Sequence, residues 1–305
     1  MNAITLKAYA KINLSIDVLR KRDDGYHEVE MIMQQVDLWD QVTVSVSHGF
    51  SPKAITITTD SKNLPVDRRN LAYRAAEQIL SGYRHIESGN IQIHLNKNIP
   101  EGAGLAGGSA DAAAVLHALN YLLDLRLSLI ELMKIGVNLG ADVPFCIIGQ
   151  AALDPRLGFK SEPVSTCALA TGIGEKLSPL PSIDARVILS KPSVTISTAE
   201  IYGALRLEDI TERPDNKAII QGLIEKNFDK VSENMSNVLE RISEIRYPSI
   251  MYTKNMMKTI EGSYKVLMSG SGPTVYAIST DRAVAEKIYQ KIKQINPESI
   301  LTKTL

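Results

Sequence analysis

The sequence PEGAGLAGGSADAAA, residues 100–114, decides the most about the fold. Four glycines fall within seven residues, and Ser109 then opens a long run of good helix formers. Glycine allows a positive φ and a close approach of the backbone to a ligand. Ser109 can cap the helix, and the free N–H groups and dipole at a helix N-terminus favour an anion. The stretch therefore predicts a phosphate-binding loop that leads into a helix over residues 109–124.

Two common phosphate-binding motifs do not fit this stretch. Residues 102–107 spell G-x-G-x-x-G, but residues 96–100 separate them from the preceding strand, whereas a dinucleotide fingerprint follows its strand directly. Asp124 is near the offset expected for a ribose-binding acid, but its surroundings are typical of a helix end. No lysine lies between the last glycine and Ser109, which excludes a Walker loop. A plain glycine turn between strand and helix stays the structural alternative.

The composition is that of an ordinary globular protein. The chain has 305 residues, enough for about two domains, and 44% of them are hydrophobic. Lys plus Arg and Asp plus Glu number 34 each, which argues against a nucleic-acid or membrane partner but not against a small phosphorylated ligand. Cys146 and Cys167 form no metal-ligand or disulfide pattern, so we expect a reducing, cytoplasmic setting. No apolar run reaches about 18 residues, so no membrane span is predicted.

Hydrophobic periodicity predicts the elements of the first half. Residues 4–18 alternate between apolar and polar side chains, which is typical of a strand with one buried face. Further strands are expected at 28–38, 41–47, 54–59 and 90–95, beginning as an antiparallel sheet, with helices at 70–80 and 128–138.

The second half predicts a layer of strands and helices. Strands are expected at 185–189, 265–268, 274–279 and 299–304, and helices at 197–205, 215–227, 249–261 and 281–295. Residues 152–168 show little periodicity, so we interpret them as an exposed connector between domains 1–160 and 161–305. The pattern is that of a two-domain α/β (α+β) protein, with helices on one face of the second sheet.

Four features outside the glycine stretch could carry chemistry, and each has a structural alternative. Lys11 and Asn13 point the same way from one strand, although a solvated polar face is the default for lysine. Asp142 could be a turn or cap residue, or the carboxylate that accepts a hydroxyl proton in phosphoryl transfer. Residues 26–27 (Tyr-His) could be a hairpin shoulder or an aromatic platform. Residues 269–274 could be a simple turn or a second source of backbone N–H groups.

Together these motifs resemble the GHMP kinases, which hold ATP phosphates on a glycine loop without a Walker lysine. Residues 100–110 resemble the central motif of that family, and MSGSGPT at 268–274 its glycine-rich turn near the C-terminus. AYAKINL at 8–14, KRDDGYH at 21–27 and GADVPF at 140–145 resemble a narrower branch, the kinases that act on a cytidine diphosphate-linked methylerythritol. The resemblance covers nearly the whole chain.

This resemblance implies a ribosomal-S5-like N-terminal domain and a ferredoxin-like C-terminal domain. The implied reaction is ATP-dependent phosphorylation of the substrate's 2-hydroxyl in non-mevalonate isoprenoid synthesis, with Mg²⁺, in a monomer or homodimer. A homoserine or mevalonate kinase of the same family is one alternative, although cytosine stacking at residues 26–27 would have no use there. A regulatory nucleotide-binding protein with a degraded site and a dinucleotide oxidoreductase are the others.

The resemblance also implies roles for individual residues. Lys11 and Asp142 match the catalytic pair, in which Asp142 takes the hydroxyl proton and Lys11 keeps that carboxylate ionised. The positions implied for ATP are Asn70, Lys97, Pro100, Gly102, Gly104, Leu105, Gly107, Gly108 and Ser109. Ser109 would also lie near Mg²⁺. The positions implied for the substrate are Asn13, Tyr26, His27 and Tyr202. The two tyrosines would stack on the cytosine ring.

Three departures from the family pattern are visible. Residues 152–167 look like an insertion, because the family passes quickly from a strand near Gly149 to a segment like residues 168–175. Asp111 replaces an asparagine found in some members, so it is left out of the adenine contacts. Tyr202 stands where some members have phenylalanine, which preserves a stacking face.

Overall fold

A computed structural model of the protein describes residues 2–48, 54–83 and 89–305. The strands are β1 (Asn2–Lys21), β2 (His27–His48), β3 (Ala54–Thr59), β4 (Gly89–Asn96), β5 (Cys167–Gly172), β6 (Lys176–Leu180), β7 (Arg186–Ser190), β8 (Lys265–Met268), β9 (Val275–Ser279) and β10 (Ile300–Lys303). The helices are α1 (Leu71–Gly82), α2 (Gly107–Leu122), α3 (Leu129–Val137), α4 (Val143–Leu153), α5 (Thr198–Ala204), α6 (Asn216–Glu225), α7 (Phe228–Asn234), α8 (Glu240–Arg246), α9 (Pro248–Met257) and α10 (Arg282–Ile295).

The chain divides into two compact units that are interleaved in sequence. Unit 1 comprises Met1–Ala10, Leu38–Ile99 and Ala106–Ser165, and unit 2 comprises Lys11–Asp37, Pro100–Leu105 and Thr166–Leu305. Strands β1 and β2, which pair with each other, therefore contribute residues to both units. The two consecutive domains, 1–160 and 161–305, are a different kind of division and stay a prediction.

In unit 1, β4 lies between β2 and β3. It pairs antiparallel with residues 41–48 of β2 and parallel with β3. The expectation that the first half begins as an antiparallel sheet is thus only partly right. Helix α1 connects β3 to β4, and such a crossover connection is what parallel neighbours require. Helix α2 packs against α1, α3 and α4.

Strand β1 alternates as predicted only over its first half. From Ile4 to Ala8 every second side chain is buried, but from Ala10 to Val18 all of them are. Buried polar side chains need partners, and those of β1 find them far away in sequence: the Ser15 hydroxyl, for example, donates to Asn216 Oδ1 at 2.5 Å. The expectation of one buried face is wrong for this half of the strand, and so is a solvated face as the alternative for its lysine.

Unit 2 contains two sets of paired strands. Residues 29–34 of β2 pair antiparallel with β5, and β5 pairs with β6. A separate antiparallel sheet has the order β10-β7-β9-β8, with α9 and α10 packed on it. The predicted cap of α10 is confirmed, because Asp281 accepts the N–H groups of Ala283 and Val284.

Several boundaries differ from the expectations. The strands predicted at 28–38 and 41–47 are one strand, β2. Gly149 lies within helix α4 rather than on a strand. Residues 152–168 contain the end of α4, a short 3₁₀ turn (Pro155–Leu157), the buried Phe159 and the start of β5. No helix in the described part of the chain has the length and apolar character to cross a membrane.

Four elements were outside the predictions. Helices α7 and α8 have only seven residues each, too few for a 3.6-residue period to stand out. Strand β5 is built largely from small residues, and β6 contains a proline and is mostly exposed, so neither has a β-branched, alternating pattern.

Candidate active site

Helix α2 begins at Gly107, two residues before the predicted cap. The preceding residue, Ala106, has a left-handed backbone with φ 59°, and no side chain caps the helix. Ser109 is the third residue of the first turn, so the prediction that it caps the helix is wrong. The first N–H groups of a helix have no acceptor within it. With no capping side chain competing for them, they can bind phosphate oxygens.

The two glycines before this helix differ in the space around them. Gly102 is exposed with φ 59°, and a Cβ added there would have Thr195 Cγ2 as its nearest neighbour at 4.0 Å. Gly104 has φ 74°, and a Cβ there would lie 2.5 Å from the carbonyl oxygen of Ser269 and 2.9 Å from that of Gly272. Packing within unit 2 therefore requires glycine at position 104. Position 102 leaves space that a ligand could fill.

The two glycines in the first turn of α2 show a similar contrast. A Cβ on Gly107 would lie 3.1 Å from Ile99 Cγ2, which is tighter than ordinary contact. A Cβ on the exposed Gly108 would meet only Leu71 Cδ1 at 3.8 Å, an ordinary distance. Internal packing thus explains the first glycine. The second fits a close approach of a ligand to the backbone.

Asp142 lies at the N-terminus of α4, and its side chain makes no capping hydrogen bond. The cap interpretation of this residue is therefore wrong. Gln150 Nε2 donates to the carbonyl oxygen of Ala110 at 2.8 Å, which ties α4 to the start of α2. A Cβ on Gly140 would lie 3.9 Å from Ser109 Oγ. Within unit 1, the turn that carries Asp142 therefore passes beside Ser109.

Lys97 is held in a buried ion cluster of unit 1. Its ammonium binds the carboxylates of Asp40 and, at 2.6 Å, Asp111. Asp40 Oδ1 also accepts the backbone N–H groups of Asn98 at 2.6 Å and Ile99 at 2.8 Å. The cluster therefore fixes the segment that leads into the glycine stretch. A contact of Lys97 with adenine stays a prediction.

The cluster should make stability depend on pH. Burial raises the pKa of Asp111 from 3.8 to about 7, which Lys97 opposes and Asp40 reinforces. Between these values the folded chain keeps a proton that the unfolded chain has released, so the free energy of unfolding should fall as the pH rises through this window. Asp111→Asn is expected to remove this fall. Urea unfolding of wild type and variant at a series of pH values measures the difference.

Two features of the chain sharpen that measurement. Burial lowers the pKa of His117 from 6.5 to about 4, so its contribution has the opposite slope and must be cancelled by comparing variant with wild type. Asp124→Asn is the matched control, because Asp124 is exposed and its pKa is lowered by Arg126. Parallel pH profiles for wild type and Asp111→Asn would contradict the prediction.

Asn70 caps helix α1. Its Oδ1 accepts the N–H of Ala72 at 3.0 Å, and its Nδ2 donates to the carbonyl oxygen of Pro65 at 3.0 Å. The side chain is buried, and both ends of its amide have partners. A role of Asn70 on the adenine side stays a prediction.

Lys11 and Asn13 project from the same face of β1, in agreement with their spacing. Lys11 Nζ donates to Asn13 Oδ1 at 2.7 Å, and the Lys11 N–H donates to the carbonyl oxygen of Leu105 at 3.1 Å. Both residues are buried, at 4% and 0% exposure. Unit 2 thus contains a buried ammonium group of defined orientation, whose backbone is bonded to the glycine stretch.

Three aromatic side chains belong to the predicted substrate platform. The rings of His27 and Tyr202 have centroids 5.2 Å apart and planes at 41°, while Tyr26 is 60% exposed. Burial, together with Lys21, lowers the pKa of His27 below 6.5. The imidazole is therefore neutral near pH 7 and can both donate and accept hydrogen bonds.

The donor groups around the start of α2 suit a hard cation. Within residues 2–48, 54–83 and 89–305, no three His, Cys, Asp or Glu side chains form a metal-binding group. Mg²⁺ needs few protein ligands, because it keeps waters and phosphate oxygens in its shell. The oxygens of Ser109 and Asp142 are of the right kind for it, so these residues fit an ion that arrives with ATP.

Comparison with known proteins agrees with this arrangement of motifs. The model of the GHMP kinases N terminal domain matches residues 70–150, and that of the GHMP kinases C terminal domain matches residues 219–298. A 4-diphosphocytidyl-2-C-methyl-D-erythritol kinase from Caldicellulosiruptor saccharolyticus is 42% identical over 300 residues, 98% of this chain and 96% of its own. A protein of the same name from Acetivibrio thermocellus is 42% identical over 306 residues, 100% of each chain.

Solved structures show the same relationship. A 4-(cytidine 5'-diphospho)-2C-methyl-D-erythritol kinase superposes with a TM-score of 0.76 at 29% identity, covering 99% of each chain. A homoserine kinase from Cytophaga hutchinsonii has the same fold, with a TM-score of 0.71 at 20% identity over 100% of this chain and 95% of its own. The chain therefore has the two-domain GHMP kinase fold and belongs to the 4-diphosphocytidyl-2-C-methyl-D-erythritol kinase family.

Proposed function

We propose that this chain transfers the γ-phosphate of ATP to the 2-hydroxyl of 4-diphosphocytidyl-2-C-methyl-D-erythritol, in non-mevalonate isoprenoid synthesis. The observation that carries the proposal is similarity over the full length, since relatives 42% identical over at least 98% of this chain bear the name of this kinase. The motifs that distinguish this branch are intact at residues 8–14, 21–27 and 140–145. The cytoplasm is the proposed location, in keeping with two free, buried cysteines.

The start of α2 is proposed to bind the ATP phosphates. Gly108 and Ser109 belong to a first turn whose N–H groups have no capping side chain, and the open space at Gly102 lets a phosphate approach the backbone. Bound Mg²⁺ would supply positive charge to the phosphate oxygens.

In the proposed step, the 2-hydroxyl oxygen forms a bond to the γ-phosphorus while the bond to the β–γ bridging oxygen breaks and ADP leaves. Asp142 accepts the hydroxyl proton, a role compatible with a carboxylate that does not cap its own helix. Lys11 keeps Asp142 ionised and orients the hydroxyl. Its own ammonium is oriented by Asn13.

The cytidine side is proposed to consist of Asn13, Tyr26, His27 and Tyr202. Tyr202→Ala should raise the KM for the cytidine substrate by roughly 2- to 12-fold, since aromatic stacking is worth about 0.5–1.5 kcal/mol. The KM for ATP should not change. Steady-state kinetics with each substrate varied in turn measures both constants. Tyr252→Ala is the control, because Tyr252 is another half-exposed tyrosine of unit 2. An equal rise in both KM values would argue against stacking.

The position of the transferred phosphate tests the proposed reaction directly. Carbon 2 of the methylerythritol carries a methyl group and no hydrogen, so a phosphate on its oxygen has no three-bond proton coupling. Phosphorus NMR of the product should therefore show a new phosphomonoester singlet. A triplet would place the phosphate on a primary hydroxyl and a doublet on the 3-hydroxyl, and either would contradict the proposal.

A further inference from the structure

The turn at residues 269–273, here called the second glycine turn, is bonded to the glycine stretch within unit 2. The Ser269 hydroxyl donates to the carbonyl oxygen of Gly104 at 2.9 Å, and the Thr274 N–H donates to that of Ala103 at 3.4 Å. A Cβ on Gly270 would lie 3.2 Å from the Gly104 oxygen. A shift of this turn would therefore shift the glycine stretch with it.

The same turn is also bonded to the lysine of β1. The Gly270 N–H donates to Asn13 Oδ1 at 3.0 Å, and this oxygen accepts Lys11 Nζ at 2.7 Å. This N–H group is thus engaged by a side chain rather than directed to a ligand. Asn13 is also held through its backbone, because its carbonyl oxygen accepts the Tyr276 hydroxyl at 2.6 Å. The orientation of the Lys11 ammonium therefore depends on where Gly270 lies.

Asn237 fixes the other side of Gly270. Its Nδ2 donates to the carbonyl oxygens of Met268 and Gly270, each at 2.8 Å. Its Oδ1 accepts the N–H of Leu239 at 3.0 Å. The side chain is 4% exposed, and the amide uses both of its donors and its acceptor. An asparagine fits here because no other side chain of this size donates twice and accepts once.

The backbone around Asn237 is held in place as well. The N–H of Ile16 donates to the carbonyl oxygen of Ser236 at 3.0 Å, and the N–H of Val238 donates to that of Ile16 at 3.1 Å. The segment that carries Asn237 is therefore bonded to β1, the strand that also carries Lys11. Both ends of the chain of contacts start from the same rigid element.

We infer that Asn237 is a positioning residue for phosphoryl transfer. It holds Gly270 so that the Gly270 N–H and Asn13 Oδ1 orient the ammonium of Lys11, and it acts on the reaction only through them. The inference rests on the proposed catalytic role of Lys11. Loss of the two donated hydrogen bonds should lower kcat rather than weaken the binding of either substrate, because misplacement of a reacting group affects the chemical step.

Asn237→Asp tests this inference. Aspartate has nearly the same size and still accepts the Leu239 N–H, but it cannot donate to the two carbonyl oxygens. We expect kcat to fall by at least about 10-fold, with both KM values within about twofold of wild type. Ser243→Ala is the matched control, because it removes one hydrogen bond to the same turn, from Ser243 Oγ to the Ser271 carbonyl oxygen at 3.1 Å. Its kcat should stay near that of wild type.

A double-mutant cycle separates positioning from general destabilisation. In an Asn13→Ala background, Asn237→Asp should lower kcat little further, because the link to Lys11 is already broken. Full additivity of the two effects, or a normal kcat in Asn237→Asp alone, would overturn the inference. If the aspartate variant does not fold, Asn237→Ser, whose hydroxyl can donate one of the two bonds, replaces it in the cycle. A wild-type enzyme inactive on the cytidine substrate would instead reject the proposed function.

Discussion

Asp142→Asn is expected to lower kcat by at least about 100-fold, the scale of a general-base contribution, while ATP still binds. Asparagine keeps the shape of the side chain but cannot accept the hydroxyl proton. The fold should survive the change, because Asp142 makes no capping hydrogen bond to helix α4. Steady-state kinetics gives kcat, and calorimetric titration with ATP gives the affinity.

Asp154→Asn is the matched control for that variant. Asp154 follows the C-terminal end of the same helix, where it pairs with Arg156 and caps a short turn. The same substitution there changes the charge by the same amount, and its kcat should stay near that of wild type. Near-normal turnover in Asp142→Asn would remove this residue from its proposed role, and lost ATP binding would point to misfolding of the site.

Gly104→Ala is expected to have the largest effect on stability. The added methyl group would lie 2.5 Å from the Ser269 carbonyl oxygen and 2.9 Å from that of Gly272. Both are backbone atoms, so the contact cannot be relieved by rotating a side chain. The left-handed backbone adds about 1–2 kcal/mol for any residue with a Cβ, and overpacking adds about 1–3 kcal/mol.

Gly102→Ala isolates the packing contribution in that experiment. Gly102 has a similar φ of 59° but no atom closer than 4.0 Å to the added methyl group. Both variants share the backbone strain, and only Gly104→Ala should also overpack the second glycine turn. Urea unfolding should therefore show Gly104→Ala to be less stable than Gly102→Ala by about 1–3 kcal/mol. Equal stabilities would mean that the two turns do not pack as described.

Local signals in the sequence predicted many elements well. Helix α10 follows from an aspartate before an amphipathic run, and Asp281 does cap it. The start of α2 could not be predicted in the same way. It is set by a left-handed alanine, Ala106, a conformation that alanine rarely adopts and that no residue pattern announces.

Long-range partners account for the burial that the sequence pattern missed. The polar side chains of β1 read as a solvated face because their neighbours along the chain give no hint of a partner. Asn216, which accepts the Ser15 hydroxyl, is 201 residues away. Pairs at such a separation leave no periodic signal in a single sequence.

The candidate site shows the same division between local and distant information. The glycine stretch and the pairing of Lys11 with Asn13 are visible from spacing alone, and the second bond is present. Asp40 and Asn237 escaped notice, although each binds a residue of a predicted motif segment or its approach. Their partners lie 57 residues away for Asp40 and 31 to 33 for Asn237.

The central claim is that this chain is a kinase for the cytidine-bearing alcohol, and ADP release against a panel of alcohols tests it most directly. The purified enzyme, ATP and Mg²⁺ are combined in turn with 4-diphosphocytidyl-2-C-methyl-D-erythritol, homoserine and mevalonate. We predict ADP release with the cytidine substrate and only background release with the other two. No turnover of the cytidine substrate, with turnover of homoserine or mevalonate, would contradict the account.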